Sequence, residues 1–335
     1  MPAIALLADP EHDEHVAPPG HPERQERIPA ALAGLRRAEL MDACELLPSR
    51  PATFAELKRV HDERYLLALE GFCMEGGGRI DADTFAEGPG SWRSAMLAAG
   101  SGMVAIDALK RGDAQVGLCT FRPPGHHAPR HSAMGFCLIN NIAVAAASLA
   151  AEGERVAIID WDVHHGNGTQ DIFYNDPNVL YVSTHQQGAY PGTGHVSETG
   201  GPAAPLSNLN LPLPAGATGD VLAACFDEIV LPVVERFRPT WVLVSAGFDA
   251  HRDDPLADLN LTSADFADLA TGVMGLAGPG RTLFMLEGGY DLRALGDSVA
   301  ATIAASIGET YRPEPPTSGG PGQSLIESSK ARWGL

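Results

Sequence analysis

Short apolar runs alternate with longer segments of helical periodicity along most of the chain. Six apolar runs predict buried strands: Ile4–Ala8, Val116–Thr120, Val156–Ile159, Val179–Ser183, Trp241–Ser245 and Thr282–Leu286. Five longer segments predict helices: Arg93–Lys110, Leu138–Ala151, Asp220–Arg236, Ser263–Leu276 and Leu295–Ile307. Apolar strands that alternate with helices are typical of a parallel sheet covered on both faces. The pattern therefore predicts an α/β fold with three layers around one parallel sheet.

The domain organisation predicted from this pattern is a single catalytic unit over residues 1–312. No internal repeat is visible, and no segment before residue 311 is long enough to separate two domains. Residues 313–335 are expected to form a tail, with a short C-terminal helix, that packs on or flanks the same domain. Segments rich in Gly, Pro and small polar residues, Glu75–Ser91 and Gly188–Ala217, predict long loops, which often frame an active site.

Composition and charge narrow the class of protein. The chain has 335 residues, of which 44% are hydrophobic and 19% charged, so a disordered or fibrous chain is excluded. The formal net charge of −19 at pH 7 disfavours nucleic-acid binding and favours cationic partners such as lysine-rich peptides or polyamines. The longest apolar run, Ile142–Ala151, is far shorter than the roughly 20 residues of a membrane helix, so no membrane partner is expected.

The cysteines and the N-terminal sequence predict a cytoplasmic protein. The five cysteines are widely spaced and form no CxxC pair, which does not suggest a disulfide framework. The first residues, MPAIALLADPEHDEH, carry no basic segment typical of a secretory signal.

Chemically active side chains collect directly after four of the predicted strands. In chain order they are His126, His127, Asp160, Asp162, His164, His165, Asp249 and Tyr290. Because ligands bind at the carboxyl ends of the strands in open parallel sheets, we expect these side chains to form one site.

Two of these strand ends predict a metal centre. Asp162 and His164 are spaced i, i+2, and side chains at that spacing point to the same side of an extended segment. Asp249, at another strand end, would complete a set of three protein ligands, which is the arrangement of catalytic zinc sites with an open position for water. An Asp-x-His pair alone is equally compatible with an ordinary polar loop, so the prediction rests on the three residues together.

The adjacent histidines His126 and His127 suggest acid–base chemistry beside that metal. The preceding Pro-Pro-Gly sequence favours a fixed turn. Asp160 and Asn167 flank the metal motif and are candidate partners that would orient the two imidazoles. A solvated loop or a hydrogen-bonded core pair is the alternative interpretation of two neighbouring histidines.

Tyr290, in the sequence EGGYD, is a candidate donor to a reacting carbonyl. The two glycines before it permit sharp backbone geometry, which would let the phenol reach the metal. A phenol there can stabilise an oxygen that gains negative charge. The alternative is an ordinary half-buried tyrosine.

Several motifs, in this order and spacing, resemble the zinc-dependent histone deacetylase family, in the class II-like bacterial branch of histone deacetylase-like amidohydrolases. They are HPERQERI, RPPGHHA, MGFCLINNIA, DWDVHHGNGTQ, AGFDAHRDDPL and EGGYD. The resemblance covers essentially residues 2–312. It implies the arginase/deacetylase-like parallel α/β fold and the removal of acyl groups from lysine side chains or polyamines.

The resemblance also implies roles for individual residues. One zinc ion (Zn²⁺) would be held by Asp162, His164 and Asp249. His127 would act as general base and then as general acid, and His126, paired with Asp160, would be its electrostatic neighbour. Tyr290 would polarise the amide carbonyl together with the metal.

The same resemblance predicts the substrate channel and a second ion. Gly135 and Phe136, facing Tyr190, would form the walls of an acyl-lysine channel. A structural potassium ion (K⁺) would involve Asp160, the main chain of Asp162 and His164, Ser183 and Thr184.

A few positions distinguish this chain within the resemblance. Asn167 matches the class II branch, and Tyr290 is present where some class II members carry His. Leu256 occupies the rim position at which polyamine-selective relatives carry Glu, so no carboxylate binds a cation there. Asp83, in the sequence RIDADT, could hold the substrate main chain at the rim. Gly166 stands where the related arginases have an Asp that bridges a second metal, so one catalytic metal is expected.

The leading hypothesis is a zinc amidohydrolase that removes acyl groups from N-acyl-lysine in a peptide or protein, or from a small acylated amine. The first alternative is the same chemistry on acetylpolyamines or on other small amides and esters. The alternative of another class is a non-catalytic protein that binds acyl-lysine. Assembly into a homo-oligomer is compatible with the sequence.

Overall fold

The computed structural model describes residues 3–10 and 13–335. The strands are β1 (Ile4–Leu7), β2 (Cys44–Leu46), β3 (Gly77–Arg79), β4 (Phe85–Glu87), β5 (Val116–Cys119), β6 (Val156–Asp160), β7 (Val179–Gln186), β8 (Asn208–Leu213), β9 (Trp241–Ala246) and β10 (Thr282–Leu286). The helices are α1 (Arg27–Arg37), α2 (Phe54–Leu57), α3 (Glu63–Met74), α4 (Gly88–Arg111), α5 (Asn141–Ala151), α6 (Asn167–Phe173), α7 (Gly219–Cys225), α8 (Leu231–Phe237), α9 (Ser263–Met274), α10 (Leu292–Ser306) and α11 (Gln323–Trp333).

Eight of these strands form one sheet in the order β2-β1-β5-β10-β9-β6-β7-β8, and every neighbouring pair is parallel. The remaining strands, β3 and β4, form a separate antiparallel hairpin. The four strands whose ends carry the predicted chemistry, β5, β10, β9 and β6, are direct neighbours at the centre of the sheet. The predicted single parallel α/β sheet is confirmed.

Helices cover both faces of this sheet. In β1, Ile4 and Leu6 pack into one core with α1, α7, α9, α10 and α11, whereas Ala5 and Leu7 pack into the other core with α3, α4 and α5. Successive strand residues point to opposite faces, so a fully apolar strand serves both cores at once. This arrangement gives the three predicted layers.

Helices α1 and α10 approach each other through glycine. A Cβ added to Gly34 would lie 1.8 Å from the carbonyl oxygen of Gly296, so no larger residue fits between the two backbones. At the start of α1, Arg27 donates to the carbonyls of Glu287 and Gly289, which ties this end of the helix to the loop that leads into α10.

The structure contains elements that the sequence patterns did not predict, namely α1, α2, α3, α6 and β2, and it also differs from the predictions in the segments rich in glycine and proline. The predicted loop Glu75–Ser91 contains the β3–β4 hairpin and the start of α4, and the predicted loop Gly188–Ala217 contains β8. The predicted helix Asp220–Arg236 is α7 and α8 joined by a π-helical turn, Phe226–Val230. The tail ends in α11, whose Ile326 and Trp333 are buried in the core.

Among the described helices, none combines the length and apolar character that a membrane span requires.

Candidate active site

The three predicted metal ligands meet at the carboxyl ends of β6 and β9. Asp162 and His164 follow β6, Asp249 follows β9, and one ligand atom of each lies within 4.8 Å of the others. The Nδ1 atom of His164 is 3.1 Å from Asp162 Oδ1 and 3.1 Å from Asp249 Oδ2. All three residues are buried.

Main-chain hydrogen bonds orient both carboxylates. The N–H of Gly288 donates to Asp162 Oδ2 at 2.8 Å, and the N–H of Val163 donates to Asp249 Oδ1 at 2.9 Å. The ends of β6, β9 and β10 are therefore tied together through the ligands themselves.

The donor set and its spacing fit one divalent metal ion. Around a tetrahedral ion with bonds of about 2.0–2.2 Å, neighbouring ligand atoms lie about 3.3–3.6 Å apart, close to the 3.1 Å separations seen here. The Nδ1 atom of His164 lies at hydrogen-bond distance from two carboxylates. A single N–H proton on this atom cannot make a good hydrogen bond to both of them. Burial and the charge of Asp162 raise the pKa of Asp249, a cost that a cation between the carboxylates would remove.

Two glycines leave room for the carboxylates of the metal ligands to lie directly against the main chain. A Cβ on Gly247 would lie 2.1 Å from Asp162 Oδ2, and a Cβ on Gly288 would lie 2.0 Å from Asp249 Oδ2. The sequence interpretation linked the glycines of EGGYD only to the freedom of Tyr290. Gly289 does have a φ of +117°, but Gly288 is required for space beside the ligands.

The two neighbouring histidines have different partners. The Nδ1 of His126 lies 3.0 Å from Asp160 Oδ2, and the Nδ1 of His127 lies 2.9 Å from Asn167 Oδ1. The amide nitrogen of Asn167 donates to the carbonyl oxygen of His127, which leaves the amide oxygen to accept the ring N–H. The Nε2 lone pair of His127 is then free to accept a proton.

The surroundings shift the pKa values of the two imidazoles in opposite directions. Burial opposes protonation of His126, but the negative charges of Asp160 and Asp162 raise its pKa to about 10. Burial and the positive charges on His126 and His164 lower the pKa of His127 well below its usual value. The arrangement favours a charged imidazole next to a neutral one, with ring centroids 4.0 Å apart.

Glu287, at the end of β10, is a site residue that the sequence interpretation missed. Its Oε2 accepts the N–H groups of Gly125 at 2.7 Å and His126 at 3.1 Å. Burial raises the pKa of this carboxyl to about 7. Glu287 fixes the turn that presents the histidine pair, and its position at a strand end was the available signal.

Tyr290 lines the cavity beside His127 and His164, and Arg27 contacts its ring and the main chain before it. The Arg27 guanidinium carbon is 4.9 Å from the Tyr290 ring centroid, Nε donates to the carbonyl of Gly289 at 2.8 Å, and Nη2 donates to the carbonyl of Glu287. The phenol is 7% exposed, and burial raises its pKa well above the usual value. Tyr290 is therefore a protonated hydrogen-bond donor at neutral pH.

Arg27 belongs to a buried ion network, which the sequence did not indicate. The carboxylate of Glu23 accepts hydrogen bonds from both Arg27 and Arg122, and all three side chains are fully buried. Burial favours the neutral form of Glu23, but Arg122 and Arg27 outweigh it and lower its pKa to about 2.

A cavity of about 210 Å³ leads from the surface to this site. The structure places every predicted channel residue on its wall: Asp83, Gly135, Phe136, Tyr190 and Leu256. The wall is braced by the N–H of Phe136, which donates to Thr84 Oγ1 at 3.1 Å, and by His21, whose ring centroid lies 4.7 Å from that of Phe136. Tyr190 and Leu256 are 37% and 40% exposed, so they lie at the mouth.

The residues predicted to bind potassium lie at the end of β6, in the segment that follows it, and in the neighbouring strand β7. Asp160 pairs with Ser183 across β6 and β7, and Thr184 Oγ1 is buried without a partner. Within the described ranges, the carbonyl oxygens of Asp162 and His164 accept no hydrogen bond. These oxygen donors suit a hard monovalent cation.

Comparisons with known proteins agree on one family. A family model described as the histone deacetylase domain matches residues 21–306. The chain is 40% identical over 314 residues to histone deacetylase 14, chloroplastic, of Arabidopsis thaliana, covering 86% of this chain and 73% of that protein. It is 41% identical over 284 residues to a histone deacetylase-like amidohydrolase of Pseudomonas aeruginosa, covering 82% and 74%. A crystal structure of the HDA15 HD domain matches with a TM-score of 0.90 and 36% identity, covering 98% and 93%.

Proposed function

The chain belongs to the histone deacetylase family, and we propose that it is a zinc-dependent amidohydrolase that removes acetyl and related acyl groups from N-acyl-lysine or similar amides. The observation that carries the proposal is the convergence of three metal-ligating side chains, two oriented imidazoles and one phenol beside a single channel. A protein that only binds acyl-lysine would not need this set of groups.

The ions in this proposal have assigned ligands. Asp162, His164 and Asp249 would hold zinc, which when bound supplies Lewis-acid polarisation of the amide carbonyl and of a water molecule. A structural potassium ion would be held by Asp160, Asp162, His164, Ser183 and Thr184.

His127 is the proposed proton carrier. Its Nδ1–H is donated to Asn167, so Nε2 accepts a proton from the attacking water and delivers it to the leaving amine. Its lowered pKa keeps it neutral before the reaction begins. His126, charged and paired with Asp160, stabilises the negative charge that develops nearby.

Tyr290 is the proposed donor to the amide oxygen. Its hydroxyl donates a hydrogen bond as this oxygen gains charge in the transition state, where such a donor is most effective. Phe136 and Tyr190 line the channel and exclude water from the aliphatic part of the substrate.

The mouth of the channel favours acyl-lysine over acetylpolyamines. Leu256 places an apolar side chain at the rim, so no carboxylate at this position pairs with the additional ammonium groups of a polyamine, and Asp83 is the carboxylate that lines the cavity. Asp83 is the proposed acceptor for a main-chain N–H of a peptide substrate.

Acetate release from an acetyl-lysine peptide tests the proposal. Wild-type protein should release acetate, and a chelator should abolish the release. D249A should lose activity and bound metal, whereas D253N, which changes a 62% exposed neighbour on the same loop, should behave as wild type. Tight binding of the peptide without acetate release would overturn the proposal in favour of a binding protein.

A further inference from the structure

Asp254 links two parts of the channel that the sequence does not place together. It lies on the same loop as the ligand Asp249, and its side chain is buried. Its Oδ2 accepts the N–H of Tyr290 at 2.7 Å, and its Oδ1 accepts the N–H of Leu256 at 3.0 Å. One carboxylate therefore joins the backbone of the candidate catalytic tyrosine to the rim of the channel.

The backbone that carries Tyr290 depends on such external contacts. Two glycines precede the tyrosine, and Gly289 adopts a left-handed φ of +117°, so the local chain has little intrinsic rigidity. Arg27 holds the carbonyls of Glu287 and Gly289, upstream of the tyrosine. At Tyr290 itself, the main-chain N–H is held by Asp254.

We propose that Asp254 is a positioning residue that fixes the main chain of Tyr290 and thereby the place of its phenol on the channel wall. The inference rests on the proposed function, because Tyr290 has its role as a donor there. The carboxylate is suited to this task because both of its oxygens accept N–H groups at once. An isosteric amide offers only one oxygen and turns an N–H₂ group towards one of the two donors.

A kinetic cycle with D254N and Y290F tests the link between the two residues. Loss of one donor to a developing oxyanion costs roughly 10²–10³-fold in kcat, which sets the expected effect of Y290F. We expect D254N to lower kcat at least about tenfold in the wild-type background and less than about threefold in the Y290F background. D253N is the matched control and should leave kcat unchanged. Equal losses in both backgrounds, or an effect confined to KM, would overturn the proposal.

A measurement independent of turnover separates this inference from the proposed function. With 3-fluorotyrosine at the six tyrosines, the ¹⁹F resonance of Tyr290 is the one that Y290F removes. D254N should shift or broaden this resonance, and D253N should not. An unchanged resonance in D254N would overturn the positioning role. Failure of wild-type protein to hydrolyse any acyl-lysine would count against the proposed function, and the resonance would still decide the role of Asp254.

A second variant covers the case in which D254N does not fold. D254E keeps the carboxyl group but moves both oxygens outward by one methylene. It should also perturb the Tyr290 resonance and lower kcat. A folded D254E protein with wild-type kcat and an unchanged resonance would contradict the proposal.

Discussion

Replacing Gly288 with alanine tests whether the ligand cluster has the geometry that one metal ion needs. The new Cβ would lie 2.0 Å from Asp249 Oδ2 and 2.7 Å from Asp162 Oδ2, whereas ordinary contacts begin at 3.4 Å. Asp249 Oδ2 must therefore retreat by more than about 1 Å and Asp162 Oδ2 by somewhat less, and a misplacement of about 1 Å costs about 10²-fold in rate. Disturbed ligand orientation also weakens metal binding by about 10–100-fold. G288A should therefore lose both zinc affinity and activity by about two orders of magnitude.

The assay is a zinc titration in competition with a chromogenic chelator, followed by acetate release at saturating zinc. G272A is the matched control, because a Cβ on Gly272 in α9 meets nothing within 4 Å. It should bind zinc and hydrolyse substrate as wild type does. The reasoning would be refuted by a folded G288A protein that keeps the zinc affinity and the rate of the wild type.

Four further substitutions have expected outcomes. H127A should lose more than the 10²–10⁴-fold of a general base that acts in one step, and H126A should lose less, as measured by acetate release; wild-type rates in H127A would exclude its role. E23Q should lower the free energy of unfolding in urea by about 3–5 kcal/mol, because it removes the carboxylate that pairs with buried Arg27 and one of the two carboxylates that pair with buried Arg122, the other being Asp13; a change below about 1 kcal/mol would contradict the network. Because the pKa of Glu23 is about 2 in the folded state and 4.5 in the reference state, this stabilisation is present above about pH 4.5 and is lost as the pH falls towards 2. L256E should raise kcat/KM for acetylspermidine relative to an acetyl-lysine peptide; if no shift occurs, selectivity lies elsewhere at the mouth.

The central strands were predictable because each is a short apolar run buried on both faces. β5, β6, β9 and β10 are recognisable in the sequence for this reason, and their order in the sheet then brings the residues that follow them to one edge. The convergence of Asp162, His164 and Asp249 could be predicted from strand ends alone. The channel residues came from the family resemblance.

Strand β8 was missed because its sequence, NLNLPL, contains two asparagines and a proline within a segment rich in turn residues. In the structure the amide nitrogens of Asn208 and Asn210 donate to Gln170 Oε1, so the fold supplies partners for these buried donors. The β3–β4 hairpin was missed for a related reason, since its first strand consists of two glycines and an arginine. Local propensity is a weak guide where tertiary contacts supply the hydrogen bonds.

The supporting charges of the site were beyond sequence reasoning. Arg27 donates to the main-chain carbonyl of Glu287 across 260 positions of the chain, and Arg122 pairs with the carboxylate of Glu23 across 99. No periodicity relates residues so far apart, and a buried charge is recognisable only when its partner is known. Asp254 lay inside a recognised motif, but its bonds to Tyr290 and Leu256 depend on how two loops fold together.

Stoichiometric reconstitution with zinc is the most direct test of the account. Protein stripped of metal should release no acetate from an acetyl-lysine peptide, and zinc should restore the activity in proportion up to one equivalent per chain. D249A, treated in the same way, should recover none. Full activity in the metal-free protein, or activity in D249A that zinc restores to the wild-type level, would contradict the assignment of the catalytic centre.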